Sequence, residues 1–371
     1  MRTRTFSHCV TFFQLYAGNP KKIHAEETRM RPLANLRCCI LLFCLSLALP
    51  LLAAPASAEE GFGLKIATLS PEGTALVDAY RSASEEIQER TEGRVHLKIY
   101  TGGVMGNDAT VIRKMRLGQL HGGFVGSGAL ATAYQDYAIL SLPMLIRADD
   151  EADAVRAALE ERLTQGLLDN GLISMGMLEL GFVYVMSNQP IASKEDIAAT
   201  KCWVPEGYDI GRDIFEAFGV APIPLPMPDV LTALQTGLID TVANSPAVTL
   251  ALQWFTAVTH LTDFPLLYNY GSHVFSQKAW DKLEPQDQEI VAEVLGRHMA
   301  ELNAGSRETH AQALAALENQ GIVFVTPDMD DATELQSVAD AVMDQWVEDG
   351  RINGDLLAEV RDIIDSVRAA R

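Results

Sequence analysis

The side chains able to do chemistry are spread without the spacing that chemistry needs. His96, His121, His260, His273, His298 and His310 show neither H-x-x-H nor H-E-x-x-H, the spacings that put two metal-binding imidazoles on one helix face. Gly126-Ser127-Gly128 lacks the G-x-S-x-G frame of a nucleophile elbow, and Gly61-Phe62-Gly63 precedes its strand rather than following it as a phosphate loop would. Asp149-Asp150-Glu151 opens a helix, where acids favour the dipole. No catalytic residue, metal or cofactor is therefore expected. One stretch stands out for another reason: KCWVPEG, Lys201 to Gly207, carries Trp203 at the end of a strand running into a loop.

The elements that must position these residues alternate. Leu64 to Thr68 forms a short apolar strand, and Thr74 to Arg90 places Leu76, Val77, Tyr80, Ala83 and Ile87 on one helix face. Arg94 to Tyr100 alternates as a strand, a helix runs from Asp108 to Leu117, and Phe124-Val125 begins the next strand. From Gly176 the pattern repeats, with strands MGMLEL, FVYVMSN, CWV and LIDTVA and helices over Asp209–Phe218 and Asp229–Thr236. Gly219 and Gly237 fall where helix C-caps need positive φ. Strands alternating with helices imply an α/β fold with a largely parallel sheet. Pro285 to Asn319 reads as unbroken helix, roughly 50 Å long at 1.5 Å per residue.

Arg31 and Arg37, the run ILLFCLSLALPLLAA and Ala56-Ser57-Ala58 compose a secretory signal cut after Ala58, with Met30 as its natural start. The run is short and broken by Pro50, with Pro55 just beyond it, which argues against a membrane anchor. Residues 1–58 are thus a leader, and the exported chain from Glu59 has 313 residues, enough for two lobes. It carries 22 basic and 47 acidic residues, a charge that disfavours nucleic acid and anionic membrane as partners. Of the cysteines only Cys202 lies beyond the leader, so no intrachain disulfide can form. The expected location is the periplasm and the expected state a monomer.

TEGRVHLKIYTGGVMGND, RLGQLHGG, ILSLPML, PIASKEDI and above all ALQTGLID resemble the DctP-type solute receptors of TRAP transporters, in order and spacing, across the chain from Leu64 onward. The resemblance implies a two-lobed α/β receptor with mixed sheets and one long helix shared by the lobes. It places lobe I at 59–180 plus 269–308 and lobe II at 181–268 plus 309–371. It further implies that a small organic solute is trapped in the cleft and passed to membrane permease subunits.

Where the family usually has K-x-R-V-P, this chain has Lys201-Cys202-Trp203-Val204-Pro205, and where an upstream G-x-R is common it has Gly181-Phe182-Val183. Both arginines that would grip a substrate carboxylate are replaced. Leu69 and Ser70 after the first strand, Val125 and Gly126 after the Gly-Gly turn, and Met227 match other pocket positions, while Asn244 keeps its polar side chain. The expected site is thus Trp203 and Tyr184 as aromatic walls, Val183, Leu69, Val125 and Met227 as apolar lining, and Asn244 as an orienting hydrogen-bonding group. It suits a neutral, apolar or aromatic solute rather than a C4-dicarboxylate, because a buried unpaired carboxylate costs several kcal/mol. Three alternatives stay open. One is a cation held over the indole with help from Glu206, another a carboxylate bound by other residues. The third is a sensing role, in which bound solute is presented to a membrane sensor.

Overall fold

The computed structural model describes residues 61–207 and 209–371; the leader and the expected cleavage after Ala58 lie outside them. The alternation of Leu64 and Ile66 builds β1 (Phe62–Ala67), and the apolar stripe from Leu76 to Ile87 lays α1 (Ala75–Arg90) across it. Next come β2 (Val95–Tyr100), α2 (Asp108–Arg116), β3 (Gly122–Gly126), α3 (Ser127–Leu130) and α4 (Asp149–Asp169). The chain then runs through β4 (Leu172–Ser187), α5 (Lys194–Ala198), β5 (Trp203–Pro205), α6 (Asp209–Ala217), β6 (Ile223–Leu225) and α7 (Val230–Thr236). After β7 (Thr241–Asn244), α8 (Pro246–Ala251) and β8 (His260–Thr262) it returns along β9 (Leu267–Ser276) and α9 (Gln277–Trp280). It closes with α10 (Pro285–Asn319), β10 (Val323–Val325), α11 (Met329–Glu348) and α12 (Gly354–Ala369).

The sheet is mixed, not largely parallel. Its path is β10-β8-β4-β9-β3-β1-β2, with β7 joining β4 off that path, and β5 and β6 form a separate parallel pair. β1 pairs in parallel with β2 and β3, whereas β9 runs antiparallel to both β3 and β4. The direction reverses after β4: β7, β8 and β9 all run antiparallel to it, and no local sequence pattern marks that reversal.

MGMLEL and FVYVMSN, read as two strands, belong to the single sixteen-residue strand β4. Gly181, at φ 78°, lets the chain continue through a register shift between Glu179 and Gly181 instead of turning. A Cβ there would lie 2.8 Å from His310 Nδ1, so glycine is also required for the close approach of α10. Before the shift β4 pairs only with β9; beyond it, β9 runs out at Val183 and β7 and β8 take over. One strand thus serves two sheet regions.

The thirty-five-residue helix α10 is fastened along its length. Glu293 meets Arg90 of α1 at 2.6 Å and Asp287 meets Arg94 at 2.9 Å. Asn303 then clips β4 by both edges of its amide, donating to the Met177 carbonyl (2.6 Å) and accepting from the Glu179 N–H (2.7 Å). Arg307 bridges the Asp153 carboxylate of α4 (2.6 Å) and Glu179 (3.3 Å). Glu179, 5 % exposed, also meets Arg156 at 3.1 Å and accepts from the Tyr268 hydroxyl at 2.9 Å. A buried carboxylate is tolerable only with such partners.

Candidate ligand-binding site

Most candidate residues sit at strand ends; Val183 and Tyr184 lie within β4. Leu69 and Ser70 follow β1; the Ser70 N–H donates to Thr68 Oγ1, and its carbonyl accepts from Gly102 of the Gly-rich turn. Val125 and Gly126 end β3, with Val125 wholly buried and the Gly126 N–H donating to Asp108 Oδ2 at 2.9 Å. Burial pushes the Asp108 carboxyl up to about 6, against the Gly126 hydrogen bond, which favours its charged form.

Val183 and Tyr184 are successive residues of β4, so they face opposite sides of the strand. Tyr184 stacks on His310 of α10, ring centroids 5.9 Å apart, and burial pushes its phenol up to about 12. Phe182 packs against the same imidazole at 6.0 Å. Register sets Asn244 of β7 directly opposite Tyr184, which puts the two side chains on one face. The Asn244 side-chain Oδ1 accepts from the Ser245 N–H at 2.8 Å. His310 Nε2 is buried without a hydrogen-bond partner, and burial lowers the basicity of that ring.

Trp203 is 1 % exposed. Its indole N–H donates to the Leu225 carbonyl at 2.9 Å, and its ring meets Trp254 edge-on at 5.2 Å and 77°. The ring therefore fills the core beneath β5 and β6, with Met227 half-buried just past Leu225. Cys202 is buried, and its thiol is pushed up by desolvation. The Glu206 side chain is exposed, but its backbone carbonyl accepts from Asn107 Nδ2 at 2.6 Å. Asn107 directly precedes α2, so this bond spans from the β1–β3 region to the β5–β6 region.

The fold thus joins Tyr184 with Asn244, and Glu206 with the neighbourhood of Gly126, while Trp203 and Val125 present almost no surface. None of the hydrogen bonds or ion pairs of the candidate residues, among the described residues, involves a lysine or arginine. His310, Asn107, Asp108 and Trp254 escaped the sequence reading because each acts through a partner far along the chain. The one local signal was Gly181, whose missing side chain makes room for His310.

Among the described residues no group of three or more His, Cys, Asp or Glu side chains could hold a metal, and no helix is long and apolar enough to cross a membrane. The fold is thus a mixed α/β architecture with most of its candidate residues at or near strand ends. The model of the DctP family, bacterial extracellular solute-binding protein family 7, matches residues 66–349, and the chain belongs to that family. It is similar to the 2,3-diketo-L-gulonate-binding periplasmic protein YiaO of Escherichia coli, 26% identical over 77% of this chain and 87% of that one. The sialic acid-binding periplasmic protein SiaP of Vibrio cholerae is 21% identical over 77% and 89%. A TRAP periplasmic solute-binding protein of Ochrobactrum anthropi, solved with its C-terminus in its ligand pocket, has a TM-score of 0.70, 25% identity, and coverage of 84% of this chain and 97% of that one. A Sulfitobacter TRAP receptor with bound β-D-galacturonate has a TM-score of 0.72 at 19% identity, over 82% and 99%. The chain is a binding receptor, not an enzyme.

Proposed function

We propose that this chain is the periplasmic receptor of a TRAP-type importer. In this reading it traps an uncharged, apolar or aromatic organic solute between lobes 59–180 plus 269–308 and 181–268 plus 309–371, and delivers it to a membrane permease. Export follows cleavage after Ala58, which N-terminal sequencing of the mature protein would read as Glu59.

One observation carries the ligand assignment: the two positions of the family's carboxylate-gripping arginines hold Trp203 and Val183. Trp203 has a single N–H, already committed to the Leu225 carbonyl. A solute carboxylate stripped of water there would lack a partner, at a cost of several kcal/mol. Apolar surface gains instead, by roughly 1.5–3 kcal/mol per side chain's worth buried. Tyr184, Asn244 and Met227 supply aromatic, orienting and apolar contacts, with Leu69, Ser70, Gly126 and Glu206 completing the cleft, while Val125 packs behind Gly126. Receptors of this fold have been solved with β-D-galacturonate and D-glucuronate, which makes sugar acids the comparison ligands.

The test is native mass spectrometry of the protein as purified, to identify what is retained. Calorimetry with succinate, D-glucuronate and D-galacturonate then follows. A retained neutral or aromatic compound with no heat from the acids supports the reading. Tight binding of any of the three acids overturns it.

A further inference from the structure

Asn107 makes two hydrogen bonds that pull in different directions. Its Oδ1 accepts from the Thr110 N–H at 2.9 Å, capping α2. Its Nδ2 donates to the Glu206 carbonyl at 2.6 Å, ninety-nine residues away and past the end of β5. The orientation of the amide is fixed from both sides, since the cap demands an acceptor and the carbonyl a donor. Asparagine meets both demands at once; aspartate can only cap. The far side is shaped to receive it: Gly207 adopts φ 76°, and a Cβ there would stand 3.2 Å from Asn107 Nδ2.

Resting on the two-lobed trapping reading above, we propose that Asn107 is a positioning residue for solute capture, a latch at the cleft mouth that ties lobe I to the loop after β5 in the closed form. The bond touches no candidate solute-contacting side chain, because it ends on a backbone carbonyl. Its contribution goes to the closed state alone, while the cap on α2 serves open and closed forms equally. That separates the two roles experimentally. Asn107→Asp keeps the cap, since aspartate caps as well as asparagine, but sets an acceptor against an acceptor across the cleft. Gly207→Ala attacks the same contact from the other lobe.

Spin labels at exposed Glu89→Cys and Gln235→Cys place one probe in each lobe, and buried Cys202 stays unlabelled. Pulsed electron-electron distances are then measured on the mature protein as purified. The wild type is expected to show a short-distance population matching the structure. Asn107→Asp should reduce the ratio of short to long distances about three- to tenfold, the weight of one hydrogen bond, with an unchanged melting temperature. Gly207→Ala should shift the ratio in the same direction. Equal ratios in wild type and Asn107→Asp would overturn the latch and leave trapping intact. A wild type with long distances only would overturn the closed two-lobed reading on which the latch rests.

Discussion

Replacing Trp203 by alanine separates an indole that holds up the core from one that waits for a solute. The ring is 1 % exposed, edge-on to Trp254 at 5.2 Å, and tied by its N–H to the Leu225 carbonyl at 2.9 Å. Truncating such a tryptophan leaves a cavity and an unpaired carbonyl, and costs about 3–5 kcal/mol. At about 2–4 °C per kcal/mol for a chain of this size, the solute-free melting temperature should fall by roughly 6–20 °C. Trp203→Phe keeps most of the apolar area but strips the donor, and should cost about 1–2 kcal/mol. Because the two rings touch, Trp203→Ala and Trp254→Ala should be non-additive in a double-mutant cycle. Chemical denaturation of solute-free mature protein, with matched m-values, is the assay. A Trp203→Ala variant within about 1 kcal/mol of wild type would refute the reasoning, and would mean that the indole serves a bound solute rather than the core.

Acid sensitivity should have two opposed sources. Burial lowers His273 to about 3, below its unfolded value, so its contribution is intact above pH 6.5 and is lost as pH falls toward 3. His273→Gln should therefore flatten the melting temperature between those limits, where wild type loses about 2–3 kcal/mol by pH 4.5. Asp108 runs the other way: its carboxyl is raised to about 6, so its charge opposes folding at neutral pH. Asp108→Asn should melt higher than wild type at pH 7.5, and the gain should vanish by about pH 4; a gain independent of pH would disprove that origin. Glu179→Gln strips the charge that Arg156 and Arg307 share, and should destabilise by about 1–3 kcal/mol, discounted for the partial exposure of both arginines. Thermal melts read that loss directly.

What the sequence disclosed was whatever depends on near neighbours. Periodicity placed α1, α10 and the strand segments because one buried face recurs every 3.6 or 2 residues. Gly237 was legible as a C-cap, and its φ of 73° is what that geometry needs. β4 was split in two because Gly181 normally signals a turn, and only His310, brought in from α10, makes it a point of passage. The candidate positions were legible, mostly as strand ends, through the order of the family's motifs. Their orientation was not. Trp203 alternates on β5 away from Cys202, yet whether its ring meets solvent or Trp254 depends on the chain fifty residues later. Asn107 gave no sign of its second bond, because a cap explains an asparagine there by itself.

The long helix α10 is bolted to α1 at one end, clipped to β4 by Asn303 and Arg307 in the middle, and at the other packs Leu317 into a different apolar cluster from the one that buries Val291 and Leu295. A rod anchored in this way acts as an axle. In the two-lobed reading proposed above, such fastening favours twisting and bending about one line and resists sliding of one half past the other. Most of the solute-contacting residues proposed above stand apart from these anchors; Tyr184, stacked on His310 of α10, is the exception. In the proposed two-lobed reading, cargo preference can thus drift through substitutions such as arginine to tryptophan while closure about α10 is kept.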